Sequence, residues 1–382
     1  MCIVLFTTAH PGYSLILIDN RDEYILRPTS RPSWWKHPTS GDEVLSARDL
    51  QRAEQGTWLG ITRSGTLAVL TNYRELDLHD AGHPVHGIKS RGGMVTAWLG
   101  GLADGGINEG VHRLVSDGGV AGVGGFSMVS GKLRKKGGGI AIVSNRARQV
   151  DDVPLLGLER GETWGLSNTV FDDPDEWPKV KTGKRLLNRV VSEAVDTQAS
   201  QDELVARLFS ILDTDTLPLR APDMGFDEYV SQLKHTIFVP AIGDEAHRRA
   251  MLEATAKGGG DWAGPGEAGE ALLAEQRPDA TRSPETMAAF ETGMYGTQRQ
   301  TVLLVDWDGN VTLVERALWD SNGNKLPKGQ GDVVTVPVAA STLPAGVQEP
   351  CDSPRPTPQP VCPAASSPAS CSNPPANSSL FA

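Results

Sequence analysis

Apolar and β-branched residues open the chain in two short runs, Ile3 to Thr8 and Tyr13 to Ile18, separated by His10-Pro11-Gly12. The runs have strand length and the separator is turn chemistry, so the pattern predicts a β-hairpin. A second pair, Trp58 to Thr62 and Leu67 to Thr71, is joined at Arg63-Ser64-Gly65. Strands are also predicted at Phe126 to Val129, Ile140 to Ser144, His235 to Pro240, Thr301 to Trp307 and Val311 to Arg316, the last two joined by Asp308-Gly309-Asn310. Helical spacing runs through Met94 to Leu102, Asn108 to Val115, Val180 to Val195 and Asp202 to Leu212. Gly165 to Asn168 reads as a loop or short strand. Hairpins interrupted by helix clusters predict an α+β fold with largely antiparallel sheets.

Periodicity fails in two places. Residues 241–293 are rich in Gly, Ala, Glu and Asp and read as a mostly disordered insertion with room for a short helix. From about residue 340 the chain is Pro, Ser, Ala and Thr, too poor in apolar surface to offset its ordering entropy. The reading is a domain over 1–339, interrupted at 241–293, and a disordered tail over 340–382.

Charge narrows the partners. A formal net charge of -11 repels phosphate backbones, so nucleic acid is not expected as a partner. No apolar run reaches the length of a membrane span, and the first residues lack the basic segment and cleavage site of a signal peptide. Cys2 stands alone at the start, and Cys351, Cys362 and Cys371 lie in the tail, so the core has no disulfide framework and no thiolate zinc site. This suits a reducing, cytoplasmic compartment. His79, His83 and His86 have spacing a metal accepts, but a polar loop of this kind reads first as solvated, and no metal is assigned. Lys179, Lys181, Lys184, Arg185 and Arg189 crowd a helix start, and read first as a solvated face and second as a cradle for a phosphate-bearing ligand such as a coenzyme A ester.

The candidate chemistry begins at Cys2. Methionine is removed before small residues, and a terminal cysteine then carries a thiol and a free amine on adjacent atoms. With reference pKa values of about 8.5 and about 8, the amine can take the thiol proton. The plainer reading is a small residue opening a strand. Asn20-Arg21-Asp22-Glu23 follows the second strand, which the hairpin folds back towards Cys2. Further polar groups end apolar strands at Thr71-Asn72-Tyr73, Ser167-Asn168 and Gly296-Thr297-Gln298-Arg299. An Asn amide there is a neutral donor suited to an oxyanion.

These motifs, with Gly56-Thr57-Trp58-Leu59-Gly60, Ser90-Arg91-Gly92, Gly125-Phe126-Ser127, Leu304-Val305-Asp306 and Glu315-Arg316 in one order, resemble the NRDE family, whose eukaryotic members are called transport and Golgi organisation protein 2. The family is similar in organisation to cysteine N-terminal nucleophile hydrolases. The resemblance implies an αββα sandwich with antiparallel sheets and a site made of Cys2, Arg21, Asp22, Asn72, Asn168 and Arg299. The hydrolases separate their early Arg and Asp, whereas Arg21 and Asp22 are adjacent, so either Asp22 or Glu23 is the matching acid. In that scheme Arg21 and Arg299 lower the thiol pKa, the acid pairs with an Arg or the terminal ammonium, and the two Asn face a carbonyl oxygen. The resemblance also implies roles in Golgi organisation and protein secretion, with mitochondrial or Golgi association, and in handling haem or acyl-coenzyme A. No cofactor is required, and haem is a candidate cargo. The reading favoured is a binding or trafficking role that retains a hydrolase-like site; the alternative is an active hydrolase of amides or thioesters, and a scaffold using the tail comes third.

Deleting 340–382 should leave the thermal unfolding temperature nearly unchanged in a calorimetric scan. A large drop would move the domain boundary.

Overall fold

The structure is a computed structural model that describes residues 1–52, 54–73, 89–101, 106–116, 118–133, 139–157, 160–171, 173–261, 293–327 and 334–338. His79, His83 and His86, most of the expected insertion and the whole tail lie outside the described residues.

In chain order the strands are β1 (Ile3–Thr7), β2 (Tyr13–Tyr24), β3 (Ser33–Lys36), β4 (Glu43–Ser46), β5 (Leu59–Thr62), β6 (Thr66–Asn72), β7 (Phe126–Lys132), β8 (Gly139–Ser144), β9 (Leu155–Leu156), β10 (Thr163–Leu166), β11 (Tyr295–Asp306), β12 (Val311–Ala317) and β13 (Val334–Val338). The helices are α1 (Arg91–Leu99), α2 (Ile107–Val115), α3 (Pro178–Asp196), α4 (Gln201–Leu212), α5 (Phe226–Val230) and α6 (Glu245–Thr255). The described strands form two antiparallel sheets, ordered β10-β1-β2-β11-β12-β13 and β3-β4-β5-β6-β7-β8-β9.

Alternation along the strands builds the layers. In β1 and β2, Val4, Phe6, Leu15 and Leu17 face Leu45, Ile61, Leu67 and Val69 of the other sheet in a shared core. Their neighbours Ile3, Leu5, Ile16 and Ile18 turn the other way, onto Val180, Leu187, Val191, Leu204 and Leu208 of α3 and α4. The second sheet sends Val44, Ala68, Leu70, Met128 and Val143 outward onto Val95, Trp98, Val111 and Leu114 of α1 and α2. Helices, sheet, sheet and helices therefore stack as the expected αββα sandwich.

One end of the inter-sheet layer is polar. The register Val4↔Asp19↔Thr301↔Glu315 crosses the first sheet on its inner face, and the next row carries Arg21↔Arg299. All of these are buried. Arg299 gives Nη1 to Glu315 Oε1 at 2.8 Å, and its Nε and Nη2 to Thr29 Oγ1 at 3.2 and 3.1 Å. Asp19 is pushed well above the usual carboxylate range by burial, then by Asp22 and Glu315, with Arg21 opposing.

Two expectations need correction, the strand at 235–240 and the single solvated face of the basic run; the short helix for which the insertion had room is present, and some short strands went unread. His235 to Pro240 is not a strand among the described residues. His235 ends a 3-10 turn, and the partners of the residues after it are scattered: Phe238 N donates to Thr214 O, Val239 N to Thr297 Oγ1, and Ile237 O accepts from Asn20 Nδ2. The stretch assigned to the insertion begins with α6, whose N-cap Asp244 accepts from His247 N. The cap and the buried Met251 hold a sequence too polar to signal a core helix. The short strands β3, β4 and β13 have too few alternating residues to stand out. The crowded basic run at the start of α3 is not one solvated face, since Lys179 is fully buried while Lys184 pairs with Glu176 at 2.6 Å.

Glu315→Ala should cost about 3–5 kcal/mol in chemical denaturation, because it strands the Arg299 charge. The double change Arg299→Met with Glu315→Leu should cost much less than either single change. Equal losses would mean that the pair is not the reason for their burial.

Candidate functional site

The site gathers around the start of β1. Met1 enters the fold with its ammonium 3.2 Å from Asp22 Oδ2, and the amine also donates to Tyr295 Oη. Tyr295 in turn donates to the Asp22 backbone oxygen at 3.1 Å, and Thr297 Oγ1 donates to Asp22 Oδ1 at 2.7 Å. Asp22 is therefore the acid that meets the terminal ammonium. Glu23 is used elsewhere, 3.5 Å from Arg27 and 3.9 Å from Arg21. The choice follows from alternation: Asp22 and Glu23 leave the sheet on opposite faces.

Cys2 Sγ lies on the backbone of Asp22, accepting from its N–H at 3.4 Å and lying 3.7 Å from its carbonyl oxygen. Burial pushes the thiol up to about 11, and Asp22 and Asp19 add to the rise against the nearby ammonium. With Met1 in place, neither Arg21 nor Arg299 reverses this rise. Arg299 is committed to Glu315 and Thr29. Arg21 donates to Gln298 Oε1 and lies over the Trp58 ring at 4.2 Å from its centroid. Enclosure then outweighs the positive charge.

The two asparagines arrive from the opposite sheet and from the end of β10. Ser167 Oγ donates to Cys2 O at 2.7 Å and meets Asn168 Oδ1 at 3.1 Å. Asn168 Nδ2 donates to the backbone oxygen of Asn72, and Thr71 Oγ1 donates to Ser167 O at 2.6 Å. The structure thus brings Cys2, Arg21, Asp22, Asn72 and Asn168 to one end of the sandwich. Asn168 latches β6 to the chain after β10. Arg299 is the ladder partner of Arg21, with its guanidinium directed to Glu315.

Sequence reasoning missed Lys179 as a member of the site. Its Nζ donates to Met1 O at 2.5 Å and is 3.5 Å from Cys2 O. Among the described residues no carboxylate lies within ion-pair distance of it. Burial lowers its pKa to about 8, although Asp22 and Cys2 oppose the fall. A signal was present: a lysine directly after the proline that opens α3 sits against the positive end of the helix dipole, where a cation gains nothing locally. Tyr295 was also passed over, although it opens the motif that ends at Arg299. Burial, then Asp22, pushes its hydroxyl well above the usual range.

Gly296 shapes one wall. A Cβ there would meet Val239 O at 3.1 Å and Pro240 O at 3.2 Å, so its absence lets residues 239–242 lie along β11. Ile242 then bridges Tyr295, and Thr297 N donates to Val239 O at 2.8 Å.

The sequence pattern of the family described as Transport and Golgi organisation 2 matches residues 1–320. The chain belongs to this family. A Bos taurus relative, "Transport and Golgi organization protein 2 homolog", is 30% identical over 329 residues, covering 84% of this chain and 95% of that one. The Drosophila melanogaster "Transport and Golgi organization protein 2" is 29% identical over 279 residues, covering 67% and 89%. Among solved structures, a conjugated bile acid hydrolase variant from Clostridium perfringens matches at 10% identity with a TM-score of 0.29, covering 88% of this chain and 96% of that one. The αββα assignment rests on the layers described above. No described helix is long and apolar enough to cross a membrane.

While Met1 is in place, burial holds the Cys2 thiol well above its ordinary range, so little thiolate is present at pH 8. Iodoacetamide should therefore label Cys2 far more slowly in Met1-bearing molecules than in Met1-free molecules of the same sample. Peptide mass spectrometry separates the two forms. Equal rates would contradict the enclosure of the thiol.

Proposed function

We propose that this chain hydrolyses an amide or thioester with Cys2 as nucleophile, after Met1 is removed. The observation that supports this reading is the convergence of Asp22, Tyr295 and Lys179 on the first two residues, with Thr297 holding the Asp22 carboxylate. Without Met1 the amine belongs to Cys2 itself, and the same carboxylate and hydroxyl are at hand to orient it. The thiol proton then has an acceptor on the same residue. Lys179, with a pKa near 8, is a donor for a carbonyl oxygen in place of the one that Met1 supplies.

A second reading keeps the site for binding alone, within Golgi organisation and protein secretion, with haem or an acyl-coenzyme A ester as cargo. The names of the relatives carry the transport and Golgi terms. The enclosed, weakly acidic Cys2 favours this reading for any molecule that retains Met1.

Intact mass, followed by incubation with an acyl thioester and a chromogenic amide, decides between them. The hydrolase reading expects a chain starting at Cys2, an acyl adduct on Cys2, and a fall of at least about a hundredfold in turnover for Cys2→Ala. Met1 retained in most molecules, or unchanged turnover in Cys2→Ala, would overturn it. Retention of a co-purified ligand by Cys2→Ala, without turnover in the parent chain, would favour the carrier.

A further inference from the structure

Met1 is held in this fold as an acyl group would be held. Its side chain is buried against Tyr229, Leu233, Val239 and Ile242, with Trp177 and Tyr295 at the margin. Its carbonyl oxygen accepts from Lys179, and its carbonyl carbon is joined to the nitrogen of Cys2. The slot is therefore a narrow apolar recess with one buried cation at its mouth, beside the thiol-bearing residue. Met is unbranched, so the recess as built fits a linear chain.

We propose that the slot filled by Met1 becomes, once Met1 is gone, the acyl-binding subsite of Cys2, taking a short unbranched aliphatic acyl group with its carbonyl oxygen on Lys179. This rests on the hydrolase reading above and names its substrate class. Three observations converge on it. The side chains clustered with Met1 are aliphatic and aromatic, a surrounding suited to an apolar group. Lys179 has no carboxylate at ion-pair distance among the described residues, so loss of the Met1 carbonyl removes its shorter hydrogen bond. The Asp22 carboxylate and the Tyr295 hydroxyl hold the Met1 amine, and in the chain without Met1 the Cys2 α-amine takes that place, which leaves the apolar slot and Lys179 to the substrate.

The chemistry balances for a thioester. The Cys2 sulfur bonds to the acyl carbon as its thiol proton passes to the α-amine, and the bond from that carbon to the leaving sulfur breaks. The leaving thiolate takes the proton from the α-amine. Water then adds to the acyl-Cys2 carbon, Cys2 leaves and is reprotonated, and a carboxylic acid departs.

The test uses the full chain, verified by intact mass to start at Cys2, and S-acyl N-acetylcysteamine thioesters from acetyl through butanoyl, hexanoyl and octanoyl to hexadecanoyl. Released thiol is measured by chromatography. The expected result is a rise in kcat/KM of roughly fourfold per methylene over the first few carbons, then a fall for the longest chains. Ile242→Phe, which fills the slot from its margin, should move the optimum to acetyl. Activity independent of chain length, or an optimum unmoved by Ile242→Phe, would overturn the subsite while leaving the hydrolase standing. If neither these thioesters nor the chromogenic amide is turned over, the hydrolase reading fails, and native mass spectrometry of Cys2→Ala with N-butanoylcysteamine and its 2-ethylbutanoyl analogue tests the slot alone. Preference for the linear chain supports it and equal binding overturns it. The same competition decides the matter should Ile242→Phe not fold.

Discussion

A buried ammonium on a buried carboxylate, Met1 on Asp22, is the contact on which the rest of the site depends. An ammonium taken out of water without a partner is costly, so the chain can begin inside the protein only where a charge awaits it. Asp22 has that place because Thr297 holds one of its oxygens and Tyr295 spans its backbone and the amine. With the start anchored, β1 runs between β10 and β2, and Cys2 is pressed onto the Asp22 backbone. Burial lowers the ammonium pKa and raises the thiol pKa, while each charge favours the other. The two groups are electrostatically coupled before any ligand is present.

The same strand serves two layers. Successive residues of β2 leave on opposite faces, so Asp19 and Arg21 enter the space between the sheets while Asn20 and Asp22 face the helical side. The inner pair belongs to a slab with Arg299 and Glu315, nearly balanced in charge, that replaces the apolar core at this end. The outer pair ties the loops after α4 and before α6 to the sheet, through Asn20 to Leu212 and Ile237, and through Thr297 to Val239. A site that needs both a protected thiol and an apolar recess can form where these two systems meet.

Much of this was legible in the sequence, and the failures have physical causes. The hairpin of β1 and β2, the pairs β5–β6, β7–β8 and β11–β12, and helices α1 to α4 carry strong alternation or helical spacing, and they form as the pattern predicts. The family motifs led to Cys2, Arg21, Asp22, Asn72 and Asn168, which meet at one end of the sandwich. They misjudged Arg299, because a one-letter motif does not say which neighbour a guanidinium turns to, and Glu315 is reached only across the ladder. Lys179 was grouped with its basic neighbours, since burial of one lysine among solvated ones depends on how α3 docks over the chain start. The slot around Met1 was invisible for a similar reason: Tyr229 lies in the single turn of α5, Leu233 in the 3-10 turn after it, and Val239 and Ile242 in irregular backbone, all too short for a period to read.

The central claim is that the polar groups around Met1 are arranged for an amine at the chain start and for an acyl group beside it. A crystal structure of the chain beginning at Cys2 tests this most directly. The account predicts the Cys2 α-amine within hydrogen-bond distance of the Asp22 carboxylate, with the recess between Tyr229, Leu233, Val239 and Ile242 open and Lys179 Nζ at its mouth. An Asp22 carboxylate turned to Arg21, with the recess collapsed and Cys2 drawn away from the Asp22 backbone, would contradict it.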